Sequence, residues 1–293
     1  MIVVLGATGN VGTNVINELK AHKTSILAVT HDQSKVIELE AAGVEVAVVD
    51  VCDSRRVNEL FKRARRAFLL VPPAPPTSDT NAEELKAAGS ISKALEGVRL
   101  EKVVVASTYG AQQGDGVGDL SVLYDFERLV QAAGFATAIN RGAYYYTNLD
   151  MLIEPAREGK LPAPFPADMI LPMVSPIDLG RAAAARLLSP VEDIGVVHVE
   201  GPSRHTFAEV AAYFGKALAK VVTVETTPRD EIEESFRRLG FSRRAAASYA
   251  RMTKATMDGP DLPSNPLRGS ICLDDHIARL VASADEPAQK AGT

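Results

Sequence analysis

The chain has 293 residues, 46% hydrophobic and 24% charged, with a formal net charge of -5, enough apolar matter for one large domain or one and a half. The acidic balance argues against nucleic acid or an anionic membrane surface as partner, since both repel such a protein at long range, and leaves a small ligand as the expected partner. Cys52, Cys272 and the five histidines show no metal-ligand spacing, and no Gly-x-Ser-x-Gly elbow occurs, so no metal site is expected and elbow chemistry is set aside; two free thiols suit a reducing cytoplasm.

In chain order, "MIVVLGATGNVG" opens with an apolar strand at 2–5 and then sets Gly6, Gly9 and Gly12 at three-residue intervals before a helix at 11–21. The apolar run is too short for a signal-peptide core, and no run of about eighteen apolar residues follows, so a soluble, untargeted chain is expected. Strands are predicted at 26–30, 44–49, 67–71, 102–106 and 135–140, with helices near 34–42, 54–64, 81–96 and 121–133 between them. In the first of these helices Val36, Ile37, Leu39 and Ala42 repeat at roughly helical spacing, Asp53 precedes the second as a cap, and Gly134 closes the last. Six strands alternating with helices predict a doubly wound parallel sheet over residues 1–142.

After Arg141, prolines at 155, 162, 164, 166, 172 and 176 break the chain into short pieces, which predicts a smaller lobe over 143–283. Within it "MVSPIDLGRAAAARLL" reads as a turn into a helix, "IGVVHVEG" as a strand, "TFAEVAAYFGKALA" as a helix opened by Thr206 with Glu209 three residues on, and "VVTVETT" as a strand. Two helices follow near 229–239 and 242–257. The strand at 195–200 is expected to extend the main sheet while neighbouring helices form the lobe. The tail 284–293 is expected to be disordered.

A strand that ends in glycine and turns into a helix brings bare N–H groups and a positive dipole end to one point, a seat for a pyrophosphate. Gly6 permits the tight turn, Gly9 lets phosphates approach the main chain, and Gly12 lets the helix lie close to the sheet, with Thr8 in the loop and Asn10 and Val11 opening the helix. At the end of the second strand, "LAVTHDQSK" supplies Thr30, His31 and Lys35 for a 2′-phosphate, while Asp32 serves as a helix cap; this favours NADP(H), with NAD(H) as the alternative if Lys35 is merely a solvated helix lysine. Asp50 and Val51 would flank the adenine.

With "LAVTHDQSK", "AFLLVPP", "VVVAST", "ERLVQAAGFATAINRGAYYYTNL", "LPMVSPIDLGRAAA" and "VVHVEGPSRHTFAEVA" following the glycine run in order, the chain resembles the NmrA-like family of atypical short-chain dehydrogenase/reductases over residues 1–255. The resemblance implies an α/β fold, a Rossmann-like doubly wound parallel sheet with a smaller C-terminal α/β lobe, and NAD(P) in the cleft between them. It implies one of two functions: an NAD(P)H-dependent reductase of quinone-like or other planar aromatic electrophiles, or a non-catalytic, redox-sensing regulator acting through protein contacts. By the same resemblance Val71, Pro72, Pro73 and Ser107 run beneath the ribose and nicotinamide, and Arg141, Tyr144, Tyr145 and Asn148 lie near the nicotinamide or the lobe hinge. His31 stands where NADPH-binding relatives have arginine, Ala143 replaces a glycine and Thr147 a glutamate.

Short-chain reductases pair a tyrosine acid with a lysine one helical turn on. Tyr124 and Arg128 have that spacing, but Leu123 occupies the lysine's place; Tyr109 is the second candidate acid, facing the cleft after the fifth strand. Hydride delivery to a planar electrophile depends chiefly on alignment, with Tyr144, Tyr145 and Tyr146 either walling a flat substrate or packing the seam between lobes. The 71–81 loop and the glycine loop at Gly114, Gly116 and Gly118 are read as flexible edges of the site. The expected assembly is a monomer or homodimer.

Overall fold

The computed structural model describes residues 1–259 and 261–285. Its first half alternates β1 (Ile2–Leu5), α1 (Asn10–Ala21), β2 (Ile26–Thr30), α2 (Val36–Ala41), β3 (Glu45–Val48), α3 (Ser54–Phe61), β4 (Arg66–Leu69), α4 (Thr80–Ala94), β5 (Lys102–Thr108), α5 (Asp119–Ala132) and β6 (Ala136–Gly142). The second half comprises β7 (Tyr144–Tyr145), α6 (Ile153–Arg157), β8 (Lys160–Ala163), β9 (Leu171–Val174), α7 (Pro176–Leu188), β10 (Gly195–Glu200), β11 (Arg204–His205), α8 (Phe207–Leu218), β12 (Thr223–Thr226), α9 (Ile232–Arg238), α10 (Arg243–Asp258), β13 (Leu267–Arg268) and α11 (Leu273–Asp285).

Eight strands pair in parallel in the order β13-β10-β6-β5-β4-β1-β2-β3. The chain runs outward from β1 through β2 and β3, then returns to start again at β4 on the other side. That reversal opens a crevice at the carboxyl ends of β1 and β4, where ligands of such sheets bind. Period-two alternation sends Val3 and Leu5 into the core with Phe61, Ile91 and Phe126 from α3, α4 and α5, and Ile2 and Val4 into the opposite core with α1 and α7. A third core around Tyr146, Phe165, Phe207, Phe214 and Ile277 belongs to the smaller lobe. There β11, β9 and β7 make a three-stranded sheet, and β12 pairs with β8.

The strand at 195–200 extends the main sheet beside β6, and Thr206 with Glu209 forms a reciprocal capping box on α8. Three expectations need correction. The 34–42 helix begins as a 3-10 turn over Gln33–Lys35, and Ile37 is 80% exposed, so its apolar repeat does not mark a buried face. Helix α7 lies not in the lobe but on the sheet against α1, and Gly180 permits the approach, since a Cβ there would stand 2.4 Å from that of Asn14. The tail predicted from 284 begins inside α11, which runs to Asp285; residues 286–293 lie outside the described residues.

Candidate functional site

The three glycines of the first loop are required for three different reasons. Gly6 has φ +64° and faces Leu70, and a Cβ on Gly12 would lie 2.1 Å from the Gly6 carbonyl oxygen, so the fold itself demands both. Gly9 has ordinary extended angles, φ -81° and ψ 170°, and a Cβ there would meet only the Gly6 oxygen at 3.4 Å. Among the described residues nothing asks for a glycine at position 9. Having no side chain, Gly9 also leaves the first turn of α1 without a side-chain cap, and the N–H groups of Asn10, Val11 and Gly12 open the helix as unspent donors. Asn10 is exposed and Val11 buried. This cradle fits a diphosphate.

Thr8 joins the loop to the end of β2, its hydroxyl 3.0 Å from that of Thr30. Beside it His31 is exposed. Lys35 pairs with Glu38 at 3.2 Å, both side chains at least half exposed, an attachment weak enough to be exchanged for a phosphate. Asp32 accepts from the Ser34 N–H and hydroxyl, which hold its carboxyl below the usual range and engage one of its oxygens in the turn. The residues present therefore fit a 2′-phosphate better than a bare ribose. Asp50 is exposed and caps a turn through the Cys52 N–H, with Val51 half-buried beside it.

Across the crevice, Val71 is buried, Pro72 half-buried and Pro73 exposed. Ser107 and Arg141, on neighbouring strands β5 and β6, converge on Glu127 of α5, a residue the sequence reading passed over. Arg141 donates from Nε and Nη2 to the two Glu127 oxygens at 2.9 and 2.8 Å, and the Ser107 hydroxyl donates to Oε1 at 2.5 Å. The carboxylate is only 4% exposed, so the pair is a rigid, charge-assisted clamp at the carboxyl ends of both strands. Tyr124 sits half-buried on the same helix, close enough to act electrostatically on Arg141, while Arg128 is exposed.

Tyr109 follows β5 and packs edge-on against His198 with centroids 5.0 Å apart. His198 in turn lies 3.0 Å from Asp261, which also accepts the Gly110 N–H at 3.1 Å. The Tyr109 hydroxyl is buried without a hydrogen-bond partner among the described residues. Burial, then the nearby Glu200 carboxylate, pushes its pKa well up, which opposes a role as proton donor. The three tyrosines separate. Tyr144 turns edge-on to Phe165 and Phe207 in the lobe, and Tyr146 is fully buried and donates to the Ile271 carbonyl at 3.1 Å. Only Tyr145 packs toward the sheet, against Gly142 and the core beneath α7. Asn148 is exposed. At the start of α11, Cys272, Asp274 and Asp275 bring possible ligand atoms within 4.8 Å of one another, a grouping that the sequence spacing did not suggest.

Both loops read as flexible are tied to α10. Ser242 donates from its N–H to the Pro76 carbonyl and from its hydroxyl to the Ser78 carbonyl, and Ser248 accepts the Gly118 N–H. Beneath them Glu84 is buried on α4, accepts the Ala74 N–H at 2.9 Å, and faces Asp119 at the start of α5. Burial, then the neighbouring Asp119, pushes Glu84 up to about 8, and burial raises Asp119 as well, so between about 4.5 and about 8 the pair holds a proton in the folded protein that the unfolded chain has released. The native state then binds more protons across that window, and stability is expected to fall as pH rises from about 4.5 to about 8, by up to about 1.4 kcal/mol per pH unit. Glu84→Gln, which mimics the protonated acid, is expected to reduce that slope in urea titrations at pH 5, 6, 7 and 8, the buried Asp119 carrying what remains.

The model of the NmrA-like family matches residues 1–258. The NAD(P)H azoreductase of Xenophilus azovorans is 23% identical over 242 residues, 82% of either chain. Among solved structures, the NADPH-dependent quinone oxidoreductase of Escherichia coli in complex with NADPH superposes with a TM-score of 0.82 at 20% identity, covering 96% of this chain and 99% of that one. The triphenylmethane reductase of Citrobacter sp. does so at 0.81 and 18%, with the same coverage. Among the described residues no helix is long and apolar enough to cross a membrane.

Proposed function

The chain belongs to the NmrA-like family, and from that premise we propose that it is an NAD(P)H-dependent oxidoreductase, favouring NADPH, that reduces planar quinone- or dye-like acceptors. The observation that carries the reading is Gly9, a glycine with no steric reason among the described residues, standing at an uncapped helix start in the crevice where the sheet reverses. The azoreductase, quinone oxidoreductase and triphenylmethane reductase among its relatives support the class of reaction.

In this reading Gly6, Thr8, Gly9, Asn10, Val11 and Gly12 hold the diphosphate, Thr30, His31 and Lys35 the 2′-phosphate, and Asp50 and Val51 the adenine. Val71, Pro72, Pro73, Ser107 and Arg141 line the nicotinamide side, with the Glu127 clamp fixing the last two. When bound, the dinucleotide supplies a hydride. The chain's contribution is alignment: the strand ends and the clamp fix the donor side, and Tyr145 offers an aromatic face to a flat acceptor. The proton completing the reduction comes from water, because the Tyr109 hydroxyl is buried beside Glu200 and Arg128 is exposed.

The test is purified protein with NADPH or NADH and a panel of quinones, azo dyes and triarylmethane dyes. NADPH oxidation is expected with at least one acceptor, faster than with NADH. Measurable NADPH binding with no oxidation across the panel would overturn the enzyme reading in favour of a dinucleotide-binding regulator.

A further inference from the structure

A cavity of about 510 Å³ opens between the start of α4 and helices α9 and α10, within the size range of small-ligand sites. It stands at the same carboxyl edge of the sheet as the glycine loop, because α4 begins directly after the β4 loop and α10 grips that loop and the one before α5. Three guanidiniums line it, Arg243, Arg244 and Arg251, against two carboxylates, Asp79 and Glu233. Arg244 is matched by Asp79 at 2.8 Å. Arg251 donates from Nε to the Gly116 carbonyl at 2.6 Å, and its terminal nitrogens have no acceptor among the described residues. The Arg243 guanidinium has no ion pair or hydrogen bond among them. Asn81, lining the same space, buries its side-chain oxygen without a partner.

One surplus positive charge, carried on planar donor forks, suits a monoanionic oxyanion group, and the unpartnered Asn81 oxygen suits a ligand that brings its own hydrogen-bond donor. We propose that this cavity is the acceptor-recognition subsite, in which Arg243 and Arg251 hold a sulfonate or carboxylate carried by the planar electron acceptor. The proposal rests on the reductase reading above and adds the class of acceptor: anionic aromatic compounds over neutral ones.

The test compares 1,2-naphthoquinone-4-sulfonate with 1,2-naphthoquinone in the wild type, Arg243→Gln, Arg251→Gln and the double variant. The wild type is expected to have a KM about 10-fold lower for the sulfonated than for the neutral quinone, and the double variant to lose that ratio between the two, a change of about 1.4 kcal/mol in binding. Equal response of the two quinones to the substitutions, or no preference in the wild type, overturns the proposal. Calorimetric titration with naphthalene-2-sulfonate separates this from failure of the reductase reading. If neither quinone is turned over, saturable binding that the double variant loses still supports the anion site, and absent or unchanged binding overturns it.

Discussion

Gly9→Val is expected to weaken NADPH binding by at least about 100-fold, about 2.7 kcal/mol, while the protein stays folded. The backbone at position 9 is extended and open to any residue, and the new side chain meets little of the protein; the branched group instead fills the space over the uncapped first turn of α1. Its cost to folding is that of a poor helix cap, about 1 kcal/mol. Gly12→Ala should behave in the opposite way. Its methyl group is directed at the Gly6 carbonyl oxygen, which belongs to the main chain and cannot rotate aside, so a loss of about 3 kcal/mol of stability is expected, the upper end for overpacking. Far-UV circular dichroism in urea measures the second effect. NADPH fluorescence measures the first, helped by a chain that contains no tryptophan. Unchanged NADPH affinity in a folded Gly9→Val protein would remove the loop from the site.

Glu127→Ala is expected to cost about 3–5 kcal/mol, because it strands the Arg141 guanidinium, 17% exposed, without its two-oxygen partner. Glu127→Gln keeps one acceptor and is expected to cost less. The double variant Glu127→Leu/Arg141→Met, which removes both charges at similar volume, is expected to regain most of the lost stability, since a well-packed apolar pair can replace a buried ion pair almost without penalty. Such a rescue, read from urea midpoints, would separate the clamp's structural part from its place at the nicotinamide side: the rescued protein should fold well yet bind NADPH less tightly than wild type.

What the sequence revealed and what it hid follow from the range of each interaction. The strands β1 and β2 were legible because unbroken apolar runs between turn residues are local signals. The strand β5 runs two residues beyond its predicted end because polar Ser107 and Thr108 continue to pair with Arg141 and Gly142, which only the neighbouring strand dictates. The short strands β7, β8, β9, β11 and β13 were invisible, each being defined by a distant partner. Glu127 and Asp178 look like ordinary solvated helix carboxylates. Their burial makes sense only once Arg141 lies across from one, and the Ser270 and Ile271 N–H groups reach the other at 3.1 and 2.9 Å. The glycine loop was read by its spacing, yet spacing could not say that Gly6 and Gly12 serve the fold whereas Gly9 does not.

After α10 the chain re-enters the main sheet as β13, anchors its backbone on Asp178 of α7, and through α11 inserts Leu273, Ile277 and Val281 into the core of the lobe. Arg268 and Arg204 meanwhile neutralise the fully buried Glu200 from both sides. Helix α11 thus acts as a suture: its apolar face is buried in the lobe while the two residues at 270 and 271 just before it are hydrogen-bonded to Asp178 on the sheet side. Loss of structure in the lobe is therefore expected to be coupled to that of the cleft it borders.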